Sequence, residues 1–224
     1  MKNTMTRADV RAVIFDLDGT LIDSMKIWYR IDREFLMENG VSSPPADISE
    51  RLKKMTVEDS AELLKREFGL PQTCAEIVER IGQLVRLEYE ERIPLKPHAA
   101  ELLAFLERRG VPMCVATATY KELAEAALKR LGIRGKFGFI YTDGDFPRGK
   151  SHPDIFLAAA ERLGAQPGET LVIEDSLHSI ETAASAGFIT AALYEETAAG
   201  EQEALSAAAD YYFKELEEVR SLFL

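Results

Sequence analysis

The stretch AVIFDLDGTLIDS, residues 12–24, decides the fold. A short apolar run ends at Asp16, and a second carboxylate, Asp18, follows two positions later, ahead of Gly19 and Thr20. In a strand, residues i and i+2 face the same way, so both acids converge just beyond the strand's carboxyl end. Gly19 permits a sharp turn and leaves room for a ligand close to the backbone. The run is apolar without alternation, which suits a strand covered on both faces of a parallel sheet.

Similar runs recur along the chain: MCVAT (113–117), FGFIYTD (137–143), TLVIED (170–175) and ITAALY (189–194), with Tyr211, Tyr212 and Phe213 as a last short strand. Between them lie amphipathic stretches that close in glycine, the usual stop signal of a helix. Strand and helix in alternation predict an α/β fold, a Rossmann-like doubly wound parallel sheet. Residues 24–92 break the rhythm. There Ile27, Trp28, Ile31 and Phe35 sit at helical spacing, and Thr56 with Asp59 reads as an N-cap with an acid in the first turn. Residues 73–92 read as one long helix. Pro94, Lys96 and Pro97 punctuate the return. The expected organisation is a core of residues 1–23 and 93–224 with an inserted α-helical cap domain at 24–92. Such a cap is either a rigid layer or a module that opens and closes over the sheet. Asp23 and Ser24 are expected to cap the first helix and mark the hinge.

The strand TLVIED repeats the acidic ending with Glu174 and Asp175. If that strand lies beside the first, several carboxylates crowd one site. Such a cluster raises its own pKa values unless a cation is present. Oxygen ligands alone favour a hard divalent ion, magnesium before others. The strand ending in Thr117 is followed by Ala118, Thr119 and a helix starting near Lys121. A hydroxyl and backbone N–H groups at a helix start form a natural phosphate cradle. Lys150, in the loop RGKSHPDIF, can neutralise a bound phosphate as a point charge.

Bulk properties narrow the classes. The 224 residues are 46% hydrophobic, enough for one good core with a small second domain. Lys and Arg number 27 against 38 Asp and Glu, a formal charge of −11. An acidic chain without a basic tract argues against nucleic acid and membrane partners. No apolar stretch is long enough to span a bilayer, and the polar N-terminus carries no signal region. Cys74 and Cys114 make no disulfide framework and read as buried reduced thiols. A cytoplasmic monomer is the simplest expectation.

Together, FDLDGTLIDS, VATAT, GKSHPD and VIEDS resemble, in order, the four motifs of the haloacid dehalogenase superfamily. The helical insertion after the first motif resembles the small cap of its phosphoglucomutase-like subfamily. The resemblance implies Asp16 as nucleophile and Asp18 as general acid and base. It implies Thr117 and Lys150 as groups that hold the transferring phosphoryl. Magnesium would be held by the Asp16 carboxylate, the Asp18 carbonyl and Asp175, with Glu174 directly on the ion or one step removed. Asp18 argues against the dehalogenases and phosphonoacetaldehyde hydrolases, which lack that acid.

The β-phosphoglucomutases are a closer alternative, with a Lys-Gly-Val-Ser-Arg segment in the cap. The matching stretch is LKKMTVEDS, residues 52–60, where Lys53 and Thr56 fit, Lys54 replaces the glycine and Val57 replaces the arginine. Losing that arginine weakens the grip on a second phosphate and favours a phosphatase of small phosphorylated metabolites over a phosphosugar mutase. A non-catalytic phosphate-binding protein is the remote alternative. Candidate substrate contacts are Trp28, Lys53, Lys54 and Thr56 in the cap, with Thr117, Ala118, Thr119, Tyr120 and Lys121 from the core. Trp28 reads equally as a core residue, and the two lysines as a solvated pair. His98, His152 and His178 show no partner spacing and read as structural or surface residues.

Overall fold

The computed structural model describes residues 10–224 apart from 53 and 54, and only the backbone of Trp28 and Glu50. The expectations for Lys53, Lys54 and the Trp28 side chain therefore lie outside the described residues. The chain divides into two compact units, one of residues up to Ser24 with Pro94–Leu224, the other of Met25–Ile93.

The smaller unit is helical: α1 (Ile27–Glu38), α2 (Ile48–Leu52), α3 (Val57–Phe68) and α4 (Cys74–Leu87). Its helices form because apolar residues recur once per turn. In α1, Ile27, Ile31 and Phe35 are buried. Thr56 caps α3 by accepting the Asp59 N–H at 3.1 Å. Thr73 and Glu76 form a reciprocal capping box at the start of α4. The expected single helix over 73–92 does not run through. It widens into a π-helical turn at Glu88–Arg92, where the Ile93 N–H bonds the Glu88 carbonyl at 3.0 Å. That turn carries Glu88, which is fully buried. Its carboxylate accepts from Arg30, at 2.9 Å through Nε, and from Arg92 at 3.1 Å. Asp23 and Ser24 do not cap α1. The helix starts later, with Lys26 at the N-cap position and no side-chain cap. The Ser24 hydroxyl is buried without a hydrogen-bond partner among the described residues. Cys74, at the first position of α4, is half-buried rather than buried; Cys114 is buried, and burial raises its thiol pKa.

The larger unit holds one six-stranded parallel sheet: β1 (Ala12–Phe15), β2 (Met113–Thr117), β3 (Ile140–Thr142), β4 (Thr170–Glu174), β5 (Ile189–Leu193) and β6 (Tyr211–Phe213). Around it lie α5 (Ala99–Arg108), α6 (Lys121–Arg130), α7 (Asp154–Leu163), α8 (Leu177–Ser185) and α9 (Gln202–Ala208). Every residue of β1, β2, β4 and β5 is buried, as a sheet covered on both faces requires. Ile14, Cys114 and Val172 pack with Ile155, Phe156 and Ala159 of α7. Strand β3 is shorter than the expected 137–143. The Gly138 N–H is spent on the Met113 carbonyl at 2.9 Å, and ladder pairing with Val115 begins only at Ile140.

The sheet order is β3-β2-β1-β4-β5-β6. Chain progression runs outward one way from β1 through β2 to β3, then the other way from β4. The reversal falls between β1 and β4, and ligands of open α/β sheets bind beyond the carboxyl ends of strands at such a point. The loop after β1 also lies beside the return connection. Ile22 bridges Leu95, the Asp23 N–H bonds the Pro94 carbonyl at 3.0 Å, and the Lys96 N–H bonds the Leu21 carbonyl at 2.9 Å. Among the described residues no helix is long and apolar enough to cross a membrane.

Candidate active site

β1 and β4 pair in the register Ala12 with Thr170 through Phe15 with Ile173, and the Asp16 N–H bonds the Ile173 carbonyl at 3.0 Å. The next residues along the two strands are therefore Asp16 and Glu174. Asp16, Glu174 and Asp175 are all buried, and they present carboxylate oxygens within 4.8 Å of one another.

Lys150 reaches into this cluster. Its ammonium, also buried, donates to Asp16 and to Glu174, the latter at 2.5 Å. The other Glu174 oxygen accepts the N–H groups of Asp175 and Ser176 and the Ser176 hydroxyl, each at 3.0 Å. Both oxygens of Glu174 are thus engaged by the chain itself. Lys150 sits in a single 3-10 turn, Gly149–Ser151, whose geometry depends on Asp143. The Asp143 carboxylate accepts the Lys150 N–H at 3.1 Å. Gly149 has φ +49°, and a Cβ there would fall 2.4 Å from that carboxylate. A side chain there would have to displace the carboxylate, and the positive φ favours glycine.

Gly19, with φ +82°, turns the chain after Asp18. Thr20 then lies fully buried and donates to Asp175 at 3.3 Å. Asp18 accepts the Thr119 hydroxyl at 2.5 Å, and its charge acts on Asp16. Thr117, buried at the end of β2, accepts the Thr119 N–H at 3.1 Å. Ala118, Tyr120 and Lys121 are exposed, and α6 starts at Lys121 without a side-chain cap.

The electrostatics follow from burial. Burial pushes the Asp16 carboxyl well above the usual carboxylate range; Lys150 opposes, and Glu174, Asp175 and Asp18 add to the rise. Asp175 is pushed up to about 7, by burial first and then by Glu174. Burial also works against the Glu174 carboxylate, but Lys150 and the Ser176 bonds hold it below its ordinary range. The Lys150 ammonium is held charged, its desolvation outweighed by Asp16 and Glu174. Clustered, buried, oxygen-only donors with raised proton affinity suit a small hard divalent cation.

The structure thus brings together Asp16, Asp18, Thr117, Thr119, Lys150, Glu174 and Asp175 from loops far apart in sequence. Sequence reasoning missed Thr20, Asp143 and Ser176. The threonine after Gly19 and the glycine before Lys150 were the available signals. Two histidines have acidic partners that spacing did not reveal: His98 lies 3.3 Å from Glu215 and His152 lies 2.9 Å from Asp154.

A doubly wound sheet with buried acids and a lysine at its switch point belongs to the α/β class that receives ligands at the carboxyl edge of the sheet. The family model for haloacid dehalogenase-like hydrolases matches residues 10–187, and the chain belongs to that family. A phosphorylated carbohydrates phosphatase of Thermotoga maritima is 26% identical over 178 residues, 80% of this chain and 82% of that one. An N-acetylmuramic acid 6-phosphate phosphatase of Pseudomonas aeruginosa is 31% identical over 193 residues, 84% of each chain. A family hydrolase from Deinococcus radiodurans, solved with bound phosphate and sodium, matches with TM-score 0.77 and 26% identity over 96% of both chains. The chain is a phosphoester hydrolase.

Proposed function

We propose that the protein is a magnesium-dependent phosphatase that hydrolyses a small phosphorylated metabolite, a sugar phosphate or similar, through an aspartyl-phosphate on Asp16. The observation that carries this reading is the Asp16 carboxylate, buried and aligned by Lys150 beside Asp175 at the sheet's switch point. The phosphatases among its relatives support the substrate class.

Asp16 attacks phosphorus with one carboxylate oxygen, and the bond from phosphorus to the substrate oxygen breaks. Asp18 gives its proton to the leaving oxygen, then takes one from the water that cleaves the aspartyl-phosphate and frees inorganic phosphate. The Thr119 hydroxyl holds the Asp18 side chain in place for both transfers. Lys150 orients Asp16 and balances the charge of the phosphoryl group, while Thr117 and the open N-terminus of α6 receive its oxygens. Asp16, the Asp18 carbonyl and Asp175 would hold magnesium, which offsets the repulsion between an anionic nucleophile and an anionic substrate. Glu174 serves by holding Lys150, since both its oxygens are occupied. The helical unit Met25–Ile93, inserted between β1 and the rest of the sheet, is read as the cap that selects substrate. Free Cys74 and Cys114 and the acidic charge fit a cytoplasmic enzyme.

The test is inorganic phosphate release from a panel of phosphorylated metabolites that includes β-glucose 1-phosphate with its bisphosphate. It is run with magnesium, with chelator, and with Asp16→Asn. Metal-dependent release that the variant loses is the expected result. Sugar-phosphate isomerisation without release would assign a mutase instead.

A further inference from the structure

The return connection carries a partly buried ion pair that the catalytic scheme does not use. Glu195, just past β5, is 2% exposed. One of its oxygens accepts the N–H and hydroxyl of Thr197, each at 3.1 Å. The other receives the Lys96 ammonium, from a side chain 15% exposed. The Lys96 backbone is in turn tied to Leu21, next to the Thr20 whose hydroxyl touches Asp175. β4 and β5 are neighbours with Glu174 opposite Ala192, so Asp175 and Glu195 follow adjacent strand ends at the same edge of the sheet, and the Glu195 charge acts on Asp175. The return connection thus joins the loop after β1, through the Lys96 backbone, to the loop after β5, through the Lys96 side chain.

We propose that Lys96 and Glu195 are positioning residues of the divalent-cation site: their partly buried ion pair sets the net charge that a cation at Asp175 experiences. The inference rests on the reading of Asp175 as a cation ligand. Two opposite charges held together look nearly neutral to an ion beside them. If either is removed, the survivor acts with its own sign, screened less than a fully exposed charge would be. Lys96 is therefore more than an anchor for the return connection. It cancels a carboxylate that would otherwise add to an already acidic edge, and Glu195 cancels a lysine that would repel the cation.

The test is calorimetric titration of Mg2+ and of Mn2+ into the metal-free full-length protein, with thermal melting to verify folding. Asp175→Asn comes first. If the wild type binds no cation, or binds it unchanged in this variant, the reading of the site fails and the inference goes with it. If Asp175 is required, the pair is tested by sign. Glu195→Gln is expected to weaken cation binding ~3- to 10-fold and Lys96→Met to tighten it by a similar factor. The double variant is expected to return to within ~2-fold of wild type. A purely structural pair would shift both single variants in the same direction. That result, or no shift in either, overturns the proposal while leaving the site reading intact. If Lys96→Met alone fails to fold, Glu195→Gln against the double variant decides: the double variant must bind the cation more tightly.

Discussion

Among the described residues each unit sets a buried carboxylate within a cluster of charges, and the two clusters are built on opposite plans. In the helical unit, Glu88 is wrapped by Arg30 and Arg92, and Arg92 also bonds Glu34 at 3.1 Å. Two carboxylates meet two guanidiniums, and the cluster neutralises itself. At the carboxyl edge of the sheet, Asp16, Glu174 and Asp175 share Lys150. Three carboxylates meet one ammonium among the described residues, and two of the acids are pushed toward protonation. A cluster that is balanced from within serves the fold. One left short of positive charge stores repulsion that a proton or a cation relieves, which supports the site proposed at the sheet edge.

The sharpest way to break that contrast is Asp175→Asn. Phosphate release is expected to fall ~1,000-fold or more, as for loss of an essential group. The melting temperature of the metal-free protein is expected to rise, because a repelled carboxylate has been replaced by a neutral amide of the same shape. A variant that loses activity and stability together would mean the edge is as self-sufficient as the helical cluster.

The stored repulsion also predicts a pH dependence. Asp175 takes up a proton more readily folded, at about 7, than at its ordinary 3.8. The folded state therefore binds more protons between those values, and the metal-free protein loses stability as pH rises from about 4 to 7. The change assigned to this buried group is on the order of 2–4 kcal/mol. Denaturant melts of wild type and Asp175→Asn at pH 5 and pH 8 isolate it. The wild type should lose more stability than the variant between the two, and equal losses would remove Asp175 from the account.

Glu88→Ala should do the reverse of Asp175→Asn. It leaves two arginines without their shared acceptor and is expected to cost about 1–3 kcal/mol, the range for losing a buried hydrogen-bonded charge whose partners reach solvent. Cation binding, measured by titration below the melting transition, should not change. Cation affinity that fell with the helical unit's stability would show that the two clusters are not separate devices.

The smallest expected effect is at Gly149→Ala. The new methyl group must displace the Asp143 carboxylate that fixes the Lys150 turn. Activity should drop ~10-fold with about 1 kcal/mol of stability lost. Steady-state rates with unchanged cation affinity would assign the defect to lysine placement rather than to the metal site.

Much of the sheet was legible because its signals are local. The runs ending at Asp16, Thr117 and Glu174 have the composition of covered strands, and the helices between them show their period and their stops. The DLDGT and VIEDS endings are equally local, apolar runs that stop in paired acids. The less legible features each depended on geometry outside the local pattern. The π-helical turn at Glu88 continues an amphipathic pattern that reads as ordinary helix. Ser24 looked like a cap, but the chain makes another turn before α1 begins. Asp143 carried no motif and is recognised only by its fit against Gly149.

By itself, then, the sequence determined the strand and helix alternation, the inserted helical segment, and the acids at the strand ends. These are properties of nearest neighbours and of periods of two and three-to-four residues. Tertiary structure alone decided which of those residues work together. Lys150 meets Asp16 across 134 positions, Thr20 meets Asp175 across 155, and Lys96 meets Glu195 across 99. Such pairings follow from strand order and register, which arise when the whole sheet closes over its core, and no local period encodes them.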